Sequence, residues 1–208
     1  MKILLRRDNN PDKTDKDAQT PLCCASWNGH EGVVKILLGQ GDLNPDNPDK
    51  DGQKPLCCAA WNGHEGVVKI LLGWHDVNPD KPDQDGLTPL CCAAWNGHEG
   101  VVKILLGRDD VNPNTPDEHG QAPLCSAAAN GHEGVVKTLL ARDGICPDKP
   151  DEDGHTPLWW AANRGHLGVI ALLLPLESAP PAAPMPPSLP SPGTSDLRTP
   201  SSSIAISQ

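Results

Sequence analysis

The segment Thr88–Gly107 reads TPLCCAAWNGHEGVVKILLG, and the chain repeats it. Four further copies begin at 34-residue intervals, at Pro21, Pro55, Pro123 and Pro157. The copy that starts at Pro55 is identical from there to Gly73, whereas the last two copies are more divergent. A fixed period of this size predicts a stack of one helical unit, in which each copy buries its apolar surface against its neighbours.

Each copy predicts two short helices. The first begins at Thr88-Pro89, because a hydroxyl can cap free backbone N–H groups and proline fits the first turn. It ends at Asn96-Gly97, and the following histidine, His98, is predicted to organise the turn. The second helix starts beside Glu99, which pairs with Lys103 one turn later. Its apolar face comprises Val101, Val102, Ile104, Leu105 and Leu106.

The unit resembles the ankyrin repeat family. The resemblance rests on Thr88-Pro89-Leu90, Ala93-Ala94, Asn96-Gly97-His98, Val101-Val102 and Leu105-Leu106. It implies an all-α helical repeat solenoid, built from helix-turn-helix units that are joined by hairpin-like fingers. Two features depart from the family: Cys91 and its counterparts replace a histidine, and prolines such as Pro79 interrupt the fingers. Because proline removes a backbone donor, we expect irregular acidic loops rather than regular β-ribbons.

The repeats divide the chain into three parts. Residues 1–16 match the end of a second helix and a linker, 17–174 hold five repeats, and 175–208 are rich in proline and serine. The last segment has too few large apolar residues to offset its ordering entropy, so we predict a disordered tail. The near-identity of the copies resembles the ankyrin arrays of fungal NOD-like receptors, which suggests a detached ligand sensor. A truncated, non-functional fragment is the alternative.

The composition narrows the range of partners. A formal net charge of −10 disfavours nucleic acid and favours a basic protein or peptide. The start of the chain lacks the apolar run of a secretory signal, and no run is long enough to span a membrane. We therefore expect an intracellular protein, placed in the cytoplasm with the nucleus as an alternative. We also expect it to be monomeric.

The resemblance also implies where a partner binds. In the ankyrin family the end of the first helix faces a concave groove that contacts partners, and tryptophan is frequent among binding hot spots. The alternative is that each tryptophan ring lies flat on the next repeat and only shields the stack. The predicted partner-binding residues are Trp27, Asn28, Trp61, Asn62, Trp95, Asn96, Ala129, Asn130, Asn163 and Arg164.

The eight cysteines are predicted to be reduced, buried packing residues. Adjacent residues of a helix point about 100° apart, so a pair such as Cys57-Cys58 cannot converge on one metal. Equivalent positions on stacked helices lie about 8–10 Å apart, too far for a disulfide. No catalytic residue, metal or cofactor is predicted. A thiol- or metal-responsive regulator stays open as an alternative, and stoichiometric zinc or fast labelling of native thiols would favour it.

Overall fold

The computed structural model describes residues 19–40, 43–50 and 52–176. Within these ranges the chain forms ten α-helices in five antiparallel pairs, followed by a 3₁₀ turn at Leu174–Leu176. The helices are α1 Pro21–Trp27, α2 Glu31–Leu38, α3 Pro55–Trp61, α4 Glu65–Leu72, α5 Pro89–Trp95, α6 Glu99–Leu106, α7 Pro123–Ala129, α8 Glu133–Leu140, α9 Pro157–Arg164 and α10 Leu167–Leu173. The predicted all-α repeat fold is confirmed.

The first helix of each pair starts as the sequence predicts. The Thr88 hydroxyl accepts a hydrogen bond from the Cys91 N–H at 3.1 Å, and Thr20 and Thr156 cap their own helices in the same way. Such a cap contributes about 1 kcal/mol to helix stability. Lys54 and Ala122 occupy the same position in the other two pairs and provide no side-chain cap. Proline follows at the first helical position in all five.

The helices form two layers with a thin, continuous core between them. Each first helix packs against the first helix of the next pair, and each second helix packs against the next second helix. The central units bury nearly all of the first helix, including both cysteines and both alanines of α5. In α6 the core-facing residues are Val101, Val102, Leu105 and Leu106. The array therefore has no single centre, and its stability depends on contacts between neighbouring units.

The fingers between pairs are built from turns. In the finger before α5, the Gly86 N–H donates to the Asp83 carbonyl at 3.2 Å, and the Asp83 N–H donates to the Leu87 carbonyl at 3.1 Å. An earlier turn is closed by a bond from the Lys81 N–H to the Asn78 carbonyl. No β-strand occurs in the part of the chain that the structure describes. The expectation of irregular fingers is confirmed there.

In the last four units the histidine of the turn does more than the sequence indicates. The His98 Nε2 atom lies 2.8 Å from the carbonyl oxygen of Trp61, at the end of the preceding first helix. The same bond recurs between His64 and Trp27, between His132 and Trp95, and between His166 and Ala129. The ring thus joins two units, whereas the sequence predicted a role within a single turn.

Two sequence predictions fall outside the described residues. The partial repeat at 1–16 and almost all of the predicted disordered tail at 175–208 lie there. Among the residues that are described, none of the helices combines the length and the apolar character that crossing a membrane requires.

Replacing Ser26 with alanine is expected to stabilise the protein by about 1 kcal/mol. The Ser26 hydroxyl is buried and has no hydrogen-bond partner among the described residues, and burial of such a group is costly. Alanine occupies the equivalent position in every other unit, at Ala60, Ala94, Ala128 and Ala162. Urea denaturation of both proteins tests this expectation. A lower midpoint for the variant would show that the hydroxyl has a partner.

Candidate partner-binding surface

The three repeated tryptophans lie at the ends of the first helices but differ in exposure. Trp27 and Trp95 are 45% and 38% exposed, while Trp61 is half-buried and packs against the core. Their backbone carbonyls accept the histidine bonds described above, so the main chain beneath each ring is held in place. The backbone below each ring is therefore fixed, and the exposed rings of Trp27 and Trp95 present an accessible aromatic surface.

A cleft of about 430 Å³ lies between the first two tryptophans. Trp27 and Trp61 line it together with the thiol-bearing residues Cys23 and Cys58. The fingers complete the lining with Gln19, Asp49, Gln53, Asp85 and Leu87. Two aromatic rings beside carboxylates form a suitable environment for a positively charged side chain, which aromatic faces and carboxylates both attract.

The asparagines that follow the tryptophans have a structural role. The Asn96 Nδ2 atom donates to the Cys92 carbonyl at 3.0 Å, and this carbonyl also accepts the backbone N–H of Asn96 at the end of α5. Asn28, Asn62 and Asn130 make the equivalent bonds in their own helices. Each amide therefore has one N–H engaged, and its second N–H and its oxygen are left to face a partner.

The last two units alter the predicted surface. Ala129 replaces tryptophan in the fourth unit and is only 4% exposed, so its side chain offers almost no surface to a partner. In the fifth unit Asn163 and Arg164 are both exposed. The Arg164 guanidinium lies 5.8 Å from the centre of the Trp160 ring. The exposed aromatic ladder is therefore concentrated in the first three units.

An aromatic cluster in the fifth unit was not singled out by sequence reasoning. The rings of His155 and Trp159 stack with their centres 3.5 Å apart, and Trp160 meets Trp159 edge to face. Trp159 and Trp160 replace the cysteine pair of the other units, so the replacement itself was the available signal. Trp159 is exposed and gives this end of the array its own aromatic surface.

In the first four units, the cysteine at the third residue of the first helix anchors the following finger. The Cys91 thiol donates to the Thr115 carbonyl at 3.5 Å, Cys57 donates to Leu87, and Cys125 donates to Lys149. The Cys23 thiol lies 3.3 Å from the Gln53 carbonyl. These thiols replace the histidine that the ankyrin pattern places there, and they join the first helix to backbone 24 or 30 residues further along the chain.

The thiols are free and mostly buried, as the sequence predicts. Cys146 is exposed and Cys24 is half-buried, whereas the other six are buried. Burial raises the pKa of Cys91 to about 12 and that of Cys125 to about 12. The pKa of Cys58 is raised by its hydrogen bond with Cys23 and then by burial. Protonated, enclosed thiols such as these are poor nucleophiles.

Thiols of neighbouring units nevertheless approach each other, which the sequence argument did not anticipate. The sequence ruled out contacts between adjacent cysteines of one helix and between equivalent cysteines of stacked helices. The contact instead joins the first cysteine of one unit to the second cysteine of the next, as in Cys23 with Cys58 and Cys57 with Cys92. The 35-residue spacing of these pairs was the sequence signal for it.

A family model described as ankyrin repeats (3 copies) matches residues 1–83, 42–117, 67–151 and 109–183. These matches together cover most of the sequence. The chain therefore belongs to the ankyrin repeat family, and its stacked units form a protein-interaction module. No curated protein sequence matches the chain.

Proposed function

We propose that this ankyrin array binds a basic protein or peptide across the face formed by the ends of its first helices, without catalysing a reaction. The observation that carries the proposal is the cleft between Trp27 and Trp61, with Asp49 and Asp85 in its lining. A lysine or arginine that enters it would stack on an indole face and meet a carboxylate. The exposed ring of Trp95 extends the same surface by one unit.

Charge supports the choice of ligand. The chain has 27 acidic and 17 basic side chains, and Asp85 is exposed at the tip of its finger. An acidic field raises the association rate of a basic partner and selects against an acidic one. Reduced, buried thiols support an intracellular, cytoplasmic location, where they persist without pairing. We propose that the chain acts there as a monomer.

Selection from a displayed library of random peptides, followed by affinity measurement, tests the proposal. The selected peptides should be rich in lysine and arginine, and their affinity should fall as salt is added. Replacing Trp27, Trp61 and Trp95 with alanine together should abolish binding. Each hot-spot tryptophan contributes about 2 kcal/mol, which corresponds to roughly 30-fold in affinity.

The matched control is Trp74→Ala. Trp74 is also about as exposed as Trp95, but it lies in the turn after α4 and does not line the cleft. Its replacement should leave affinity unchanged. Binding that survives the triple substitution, or that is lost equally with Trp74→Ala, would contradict a role for the tryptophan face. Selected peptides that carry no excess of basic residues would contradict the proposed ligand class.

A further inference from the structure

Three groups that commonly ligate metals converge at the joint between the second and third units. The sulfur atoms of Cys57 and Cys92 and a carboxylate oxygen of Asp83 all lie within 4.8 Å of one another. Cys57 belongs to α3, Cys92 to α5, and Asp83 to the finger that precedes α5. All three residues are buried, and Asp83 is only 7% exposed. The cluster thus joins three separate pieces of chain in a site that excludes bulk water.

The carboxylate of Asp83 has one oxygen engaged and one without a partner. Its Oδ1 atom accepts hydrogen bonds from the N–H groups of Asp85 and Leu87, at 3.1 and 2.9 Å, which fixes the side chain. The Oδ2 atom is buried and has no hydrogen-bond partner among the described residues. A buried carboxylate oxygen in this state calls for an explanation, because nearly all such groups find a partner.

The last joint of the array shows what this oxygen faces. Asp151 is the counterpart of Asp83, and it also accepts two backbone bonds through Oδ1. Its Oδ2 atom accepts a hydrogen bond of 2.8 Å from the indole N–H of Trp160, which occupies the position of Cys92. In the fifth unit the aspartate is therefore in direct contact with the residue at this helix position. In the second and third units Cys58 and Cys92 occupy the position of Trp160, and in the fourth unit Ser126 does.

We propose that Cys57, Asp83 and Cys92 bind a zinc ion. Two sulfur ligands favour a soft or borderline cation over calcium or magnesium, and zinc accepts sulfur and carboxylate oxygen together. Zinc forms bonds of about 2.3 Å to sulfur and about 2.0–2.2 Å to oxygen. Side-chain rotations that move each ligand atom by about 1 Å would therefore bring the three atoms to tetrahedral spacing. The fourth position is left for a water molecule.

Zinc binding releases a defined number of protons and leaves a defined net charge at the site. Binding replaces the two thiol protons, which pass to solvent, and leaves two thiolates and one carboxylate around the divalent ion. The ammonium group of Lys54 donates to the carbonyl of Pro82, beside Asp83, and its positive charge interacts with both Cys57 and Asp83. It offsets the one negative charge that remains on the complex.

A bound zinc ion would link the second and third units. Asp85 and Leu87, which line the cleft between Trp27 and Trp61, belong to the same short turn as Asp83. A metal bound to Asp83 would therefore stiffen one wall of the proposed partner-binding surface. The zinc proposal does not depend on the proposed basic protein or peptide partner, because the metal-binding residues lie in the interior of the array.

Cobalt titration of the full chain tests the proposal, because Co²⁺ bound by thiolate gives a near-ultraviolet charge-transfer absorption. The reduced, metal-free protein carries two substitutions. Cys58→Ser removes the thiol contact between the first two units, and Cys146→Ser removes the exposed thiol. Serine occupies the position of Cys58 in the fourth unit, at Ser126, so the array tolerates it. One equivalent of Co²⁺ should bind, show the absorption, and be displaced by Zn²⁺.

Two further substitutions locate the site. Cys92→Ser should remove the absorption, and Asp83→Asn should weaken binding by at least about 10–100-fold while its amide oxygen still accepts the turn bonds. Cys125→Ser is the matched control, since its joint has no second thiol and Trp160 already satisfies Asp151. It should leave the titration unchanged. Absence of the absorption in the parent protein, or its persistence after Cys92→Ser in a folded chain, would overturn the proposal.

Discussion

Replacing Gly97 with alanine is expected to destabilise the array by about 2–4 kcal/mol. Gly97 has a φ of +76°, and a Cβ atom added there would lie 2.6 Å from the Nδ1 atom of His132. The positive φ costs about 1–2 kcal/mol for a residue with a side chain. The contact also displaces a ring whose Nε2 atom bonds to the Trp95 carbonyl at 2.9 Å, and loss of that bond adds about 1–2 kcal/mol.

Gly165→Ala separates the two contributions. Gly165 occupies the same turn position and has the same φ of +76°, but no atom of the described residues beyond its chain neighbours lies within 4 Å of the added Cβ. This variant should show only the cost of the backbone conformation. Urea denaturation, followed by circular dichroism, should give a lower midpoint for Gly97→Ala than for Gly165→Ala. Equal midpoints would show that the histidine contact between units contributes nothing.

Replacing Leu105 with alanine is expected to cost about 2–5 kcal/mol, which is the range for deleting a fully buried leucine side chain. Leu105 has no exposed surface and lies between the two helix layers of the third unit. The upper part of that range is expected, because the rigid stack on both sides limits collapse around the cavity. The loss should appear as a reduced denaturation midpoint and, in a repeat array, as a broader transition.

The control for Leu105 is Leu167→Ala, at the start of α10. Leu167 is 78% exposed, so the same truncation removes little packing and should change stability by less than about 0.5 kcal/mol. Helix content of both variants by circular dichroism distinguishes cavity formation from helix loss. A Leu105 variant as stable as the wild type would mean that the layers do not form a shared core.

Sequence reasoning was most successful where a local rule applied in every unit. The threonine and proline before α5 predicted its start, and Asn96-Gly97 predicted its end. Glu99 and Lys103 form the predicted ion pair on the surface of α6. These features depend on residues within one helical turn of each other, so the linear order of the chain contains the information needed.

Prediction was weaker where a contact depends on the offset between units. The sequence assigned Ile104 and Leu105 to one apolar face, yet Leu105 is fully buried and Ile104 is half-buried. It likewise placed Trp27 and Trp61 in equivalent positions, although their exposure differs. For the two tryptophans the residue type and the period are the same, and only the neighbouring unit differs.

The sequence alone therefore determined the class of fold, the two helices of each unit and the predominance of free, packed thiols. A strict period and strong local start and stop signals are sufficient for those conclusions, because short helices are stable only when stacked. The tertiary structure decided which groups meet across each joint. The histidine bonds to the preceding unit, the cleft between two tryptophans and the convergence of Cys57, Asp83 and Cys92 all depend on the rotation and shift between stacked units. That geometry is set by packing over the whole interface, which no single motif encodes.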